Sequence, residues 1–156
     1  THISGVYTYF TGEANINTNF PDYTIPYTAA HEMAHQRGFA REDEANYIAY
    51  LACIHSDNPL FVYSGYYTAF TYAMDQLYLY DQKSWQEISS ATASGIWLDN
   101  LEESNFWQQY QTVSSEFTGS VNDTYLTVMD VDDGVHSYGR MIDLILAEEK
   151  QKGTIQ

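Results

Sequence analysis

Between Val6 and Asn19, apolar and polar positions alternate among β-favouring side chains, and Gly12 marks a turn or bulge; this predicts one or two short strands. The spacing then becomes helical. Ile25 to Arg37 reads as a helix approached through Pro21 and Pro26, capped by Thr24 and ended by Gly38, which tolerates the left-handed conformation. A second helix runs from about Arg41 to His55 and buries Ala45, Ile48, Ala49, Ala52 and Cys53 before Ser56-Asp57-Asn58-Pro59 stops it. Leu60 to Tyr80 is apolar nearly all round, which predicts a well-buried third helix, with Ser64 as an alternative start. Ser84 to Ile96 and Leu98 to Phe117 read as helices joined around Gly95, with Trp85, Trp97, Phe106 and Trp107 at packing positions. Asn122-Asp123 caps a short helix through Met129, and an acidic turn, Asp130 to Gly134, leads to a last helix, Ser137 to Lys150. No repeat, low-complexity segment or linker interrupts the chain. The expected fold is mainly α (α+β): a zincin-like helical domain over residues 1–156, with a small β-sheet or hairpin near the N-terminus.

The candidate chemistry lies in the run HEMAHQRGFAREDEAN, from His31 to Asn46. Four residues apart on a helix, His31 and His35 project from one face, one turn above the other, as a single Zn2+ requires. Glu32, beside the first of them, is placed to act as general base without coordinating. A catalytic zinc usually has three protein ligands, and Gly38 lets the chain reverse so that the second helix brings Glu42, Asp43 and Glu44 in its first turn. Glu42 is the expected third ligand. Ala45 and Asn46 follow it on the same face, the first permitting close approach and the second able to hold a histidine by its other ring nitrogen. Glu44 is the alternative. Acids at a helix N-terminus also complement the helix dipole, which is all that two of these three need do.

An HExxH helix followed by an ExxAN helix resembles the glutamate-zincin class of metallopeptidases, which implies zinc on His31, His35 and Glu42. The interval from His35 to Glu42 is shorter than in the better-known members. More narrowly, TGEANIN (Thr11 to Asn17), HEMAHQRGFAREDEANYIAYLAC, YSGYYTAFTYA and DGVHSYGRMIDLILA resemble an uncharacterised bacterial domain-of-unknown-function family (DUF3810-like). That resemblance implies a soluble domain following N-terminal membrane-spanning helices, on the extracytoplasmic face of the bacterial membrane. In zincins generally a strand beside the active-site helix binds extended substrate, so the resemblance makes Gly12 to Asn17 the candidate edge.

Composition narrows the partners. A net charge of −15 with only six Lys and Arg leaves no basic footprint for nucleic acid or anionic lipid. The single Cys53 lies in an apolar run and forms no disulfide within the chain. There is no signal peptide and no apolar run of about 18 residues. The sequence therefore reads as the soluble part of a longer, membrane-anchored protein. Asp130, Asp132 and Asp133 do not follow a calcium-loop pattern, and His55 suits helix-end carbonyls. Fifteen Tyr supply half-buried packing, with Tyr63, Tyr66 and Tyr67 able to reach a cleft.

The leading expectation is zinc-assisted hydrolysis of a peptide bond in a peptide or protein substrate, with Glu32 moving the proton. The oxyanion needs a further donor, and the candidates are His136, Tyr138 and Arg140 in VHSYGR, with Tyr138 and Arg140 preferred. The alternative is an extracytoplasmic peptide- or glycan-binding module with a non-catalytic zinc site. A third reading encloses the hydrolytic site until a specific partner opens it. The sequence sets no oligomeric state.

Overall fold

A computed structural model describes residues 4–114 and 134–155. Among them, the elements in order are β1 (Gly5–Thr8), β2 (Glu13–Ile16), α1 (Ile25–Gln36), α2 (Glu42–Ile54), α3 (Pro59–Tyr80), α4 (Gln82–Ala91), α5 (Ser94–Ser114) and α6 (Gly134–Lys152). The mainly helical fold with a small N-terminal hairpin is as expected.

The strands pair antiparallel, Gly5 opposite Ile16 and Thr8 opposite Glu13. Gly12 closes the hairpin at φ +70, its N–H donating to the Thr8 carbonyl at 2.8 Å. The Asn17 N–H reaches the Ser4 carbonyl at 2.8 Å. Even-numbered β1 residues therefore bond to β2, and the Tyr7 N–H points away from it. That outward edge matters for the site.

α2 is the central helix, packed against α1, α3 and α6. Tyr27, Ala49, Tyr50, Cys53 and Met141 form the buried core. Such burial supplies about 1.5–3 kcal/mol for each large side chain. Gly65 brings α3 close to α2: a Cβ there would lie 2.7 Å from the Cys53 Cβ. On α2, Ala45, Ala49 and Cys53 are buried as expected, Ile48 is half-buried, and Ala52 faces solvent.

Several local expectations need correction. Thr24 precedes α1 but its side chain makes no cap bond; it donates to the Pro21 carbonyl at 2.8 Å. The cap comes across the fold, where Ser64 Oγ accepts the Tyr27 N–H at 3.1 Å. α3 starts at Pro59, because Asn58 Oδ1 accepts the Leu60 N–H at 3.0 Å and proline suits the first turn. Its burial is one-sided, with Tyr78, Leu79 and Tyr80 exposed at its end. The α4–α5 break falls at Thr92, which is extended, rather than at Gly95. The last helix begins three residues before Ser137. The continuation to Phe117, the Asn122–Met129 helix and the start of the acidic turn lie outside the described residues. Among the described residues, no helix is long and apolar enough to cross a membrane.

Candidate metal centre

Helical periodicity stacks His31 above His35 on α1, their rings edge to face with centroids 4.6 Å apart. Gly38, at φ +102, turns the chain so that α2 begins with Glu42 against both rings. His31 Nε2 stands 3.3 Å from Glu42 Oε2, His35 Nε2 stands 3.3 Å from Glu42 Oε1, and the two Nε2 atoms are 3.0 Å apart. One ligand atom from each of these three residues falls within 4.8 Å of the others.

Proton counting shows what this cluster lacks. His35 Nδ1 lies 2.7 Å from the Phe39 carbonyl, which can only accept, so Nδ1 carries the proton and a neutral His35 turns the lone pair of Nε2 towards His31. Glu42 is acceptor-only when ionised. His31 Nδ1 is buried and finds no hydrogen-bond partner. At most one neutral donor, the His31 ring, faces two acceptors, and a cation at the centre would satisfy all three groups. In a tetrahedral Zn2+ site with bonds of ~2.0–2.1 Å, neighbouring ligand atoms stand about 3.3 Å apart. Each imidazole here stands 3.3 Å from a different oxygen of Glu42, and with one ligand atom per residue the three lie within 4.8 Å of one another, a spacing with room for the ion between donors of the kind it takes.

The same shortage of cation governs the titration. Once protonated, the imidazoles do donate to Glu42, and those hydrogen bonds from His31 and His35 hold its carboxyl well below the usual carboxylate range. In turn, Glu42 raises His35.

Glu32, about a quarter turn round α1 from His31, lies against β1. Its side chain is only 7 % exposed, and burial raises its pKa, opposed by His31, His35 and a hydrogen bond from the outward-pointing Tyr7 N–H. Gly5 is packed on it: a Cβ at Gly5 would sit 2.6 Å from both Glu32 Cγ and Oε1. Gly5 has no positive φ that would call for glycine, so room for the carboxylate is the reason a side chain is missing. The strand edge that meets the base is thus β1, while β2, which carries most of the Gly12 to Asn17 run, also packs against α1. Gly12 contributes only its carbonyl, which accepts from Gln36 Nε2 at 2.7 Å.

A family model described as a protein of unknown function (DUF3810) matches residues 1–146. The chain belongs to this family. No curated protein and no solved structure matches it. Membership in DUF3810 therefore supplies no reaction, and the chemistry of the domain has to be argued from its side chains.

The other candidate residues of this DUF3810 domain are placed as follows. Glu44 turns away from the histidines and lies 3.8 Å from Arg41 Nε. Asp43, buried, accepts from Arg41 Nε at 3.1 Å and Nη2 at 2.7 Å, and from Arg140 Nε at 3.2 Å. Those contacts, Arg41 first, lower the Asp43 pKa. Arg140 thereby braces the residue next to Glu42. Tyr138 stacks on Tyr72, ring centroids 4.2 Å apart, and its phenol pKa is raised by burial and by the charge of Glu42. The side chain of His136 lies outside the described residues. Asn46 does not hold a histidine: its Oδ1 and its carbonyl accept from the Tyr27 hydroxyl at 3.2 and 3.1 Å. Tyr63 and Tyr67 turn towards α5 instead of a cleft at the histidines. Sequence reasoning missed Gly5, Tyr7 and Asp43; for Asp43, an acid flanked by two others was a weak signal of something beyond a helix dipole.

Proposed function

We propose that this DUF3810 domain is a zinc-dependent metallopeptidase of the glutamate-zincin type. The observation that carries the reading is the convergence of His31, His35 and Glu42 on one point short of protons, with a buried, independently seated carboxylate on the same helix. Bound there, Zn2+ would polarise the scissile carbonyl and lower the pKa of water towards ~7. Glu32 takes the proton from the attacking water and passes it to the leaving amine; the Tyr7 N–H and the space over Gly5 hold its carboxylate for both transfers. Tyr138, beside Glu42, is the proposed donor to the oxyanion. Arg140 acts through Asp43, keeping the start of α2 in place while adding positive charge. A structural zinc site is normally closed by four protein ligands, whereas three ligands and a separate base are offered here, which favours hydrolysis over a binding module with inert zinc. The domain is further proposed to act on peptides or proteins at the extracytoplasmic face of a bacterial membrane, held by segments outside this sequence.

The test is digestion of a mixed peptide library by the zinc-loaded domain, read by mass spectrometry, beside Glu32→Gln. Cleavage is expected to fall about 10²–10⁴-fold in the variant with zinc content unchanged. Equal cleavage by both would remove Glu32 as the base, and no cleavage by the wild type would leave a binding module.

A further inference from the structure

A second recess lies away from the histidines, between the segment leading into α1 and the outer face of α5. It has a volume of about 740 Å³, within the ~300–1,000 Å³ range of ligand sites. Phe20 and Phe106 form its floor, their rings 4.4 Å apart. Leu98 and Leu101, one helical turn apart on α5, form a wall and remain 64 % and 55 % exposed. Two leucines left in water beside a concave aromatic floor present apolar area that no other described residue covers. Asp22 and Glu102 line the same recess, both exposed, and no Lys, Arg or His does. The negative field extends into the adjoining wall, where Glu103, Glu102 and Asp99 add to burial in raising the pKa of Tyr23.

A site with apolar walls and two uncompensated carboxylates selects a ligand with the reverse pattern. We propose that this groove binds a basic, aliphatic peptide segment, with Lys or Arg stems or a Leu-sized side chain lying on Leu98, Leu101 and Phe20 and the cationic head meeting Asp22 and Glu102. The volume suits two or three residues. A second copy of the chain is a poor occupant, since it would bring a net charge of −15 against another −15. Tyr23 at the groove lies two residues before α1, and His31 is six residues into that helix, roughly 9 Å at 1.5 Å per residue, which with the turn separates groove and histidines by on the order of 10–15 Å. An extended peptide spans that length in about four residues. Resting on the peptidase reading, the groove is then a substrate subsite about four residues from the scissile bond, and the preferred substrates are basic.

The test is fluorescence anisotropy with the 156-residue chain as Glu32→Gln, so that no probe is consumed. The probes are a labelled seven-residue Leu/Arg peptide, its Leu/Glu counterpart and its Ser/Arg counterpart. The Leu/Arg peptide is expected to bind at least about tenfold tighter than either counterpart, and to lose about tenfold in Asp22→Asn/Glu102→Gln and in Leu101→Ser. Both acids and Leu101 are exposed, so these variants are expected to fold; unchanged thermal melts check that. Absent binding, binding indifferent to peptide charge, or binding untouched by the variants would overturn the proposal. So would a concentration-dependent dimer abolished by Leu101→Lys, which would make the groove a self-interface. Binding is read on an inactive protein. Tight binding without cleavage by the wild type would therefore sink the peptidase reading alone, and cleavage without preference for basic sequences would sink the groove alone.

Discussion

Two clusters of ionisable side chains in this protein are completed in opposite ways. On one side of α3, Tyr23 donates to the Asp99 carbonyl at 2.6 Å, Tyr63 donates to the Asp99 carboxylate, and Tyr67 donates to Glu103 Oε2 at 2.9 Å. Every hydroxyl there has an acceptor. Burial, first among the causes, raises the Tyr63 phenol to about 12, which keeps its proton on its own oxygen, and it raises Glu103 as well. At the α1–α2 corner, by contrast, two imidazoles and a carboxylate converge with at most one neutral donor among them, and a buried ring nitrogen has no partner. Both clusters are partly buried and both shift pKa values. What separates a structural network from a candidate site is therefore the pairing of donors with acceptors, more than residue type or burial.

The largest effects expected from that contrast fall on the ligands. Glu42→Ala should lose zinc by more than the ~10–100-fold that changes around a metal site cost, while Glu44→Ala keeps near-stoichiometric zinc. Equal loss in both, read by metal analysis after dialysis, would break the assignment of Glu42. Next in size is Gly5→Ala. The new methyl group would push the Glu32 carboxylate off its seat, and turnover is expected to fall about 10–100-fold with zinc retained. Its thermal destabilisation should disappear in the Glu32→Ala background, where nothing is left to collide with.

Asp43→Asn sharpens the contrast from another direction. The Asp43 pKa is lowered in the folded protein, so its ion pairs contribute stability that is present above the unfolded Asp value near 3.8 and is lost as pH falls through the lower folded value. The variant should melt earlier at neutral pH, by about 1–3 kcal/mol, and converge on the wild type in strong acid. Urea titrations at several pH values would show it; a difference that persists undiminished in acid would contradict the ion-pair account. The smallest effect is expected in the paired cluster. Tyr63→Phe should cost about 1 kcal/mol of stability and leave zinc content and turnover unchanged; a drop in either would erase the distinction between the clusters.

The helical half of the metal corner was legible in the sequence because a 3.6-residue period fixes His31 and His35 on one face whatever surrounds them. Gly38 and the acids after it were local signals too, and they pointed to Glu42, which the structure places beside both imidazoles. What escaped was set by long-range pairing. Tyr7 can aim its N–H at Glu32 only because the hairpin register turns that N–H outward, and register is a property of two strands together. Gly5 looked like an ordinary strand residue for the same reason. Ser64 caps α1 from α3, so Thr24, a good local candidate, was passed over. Asn46 had the correct spacing to reach a histidine, but the Tyr27 hydroxyl, buried beside it, claimed its acceptor. The Asn58-Pro59 start of α3 was readable locally and was read only as a stop.

The central claim is that the α1–α2 corner holds a metal ion. Elemental analysis of the domain purified without added metal, beside His31→Ala, tests it most directly. Near-stoichiometric zinc in the wild type and none in the variant is the predicted result. No zinc in either protein, even after zinc is offered, would contradict the account and leave the two imidazoles to share a proton with Glu42.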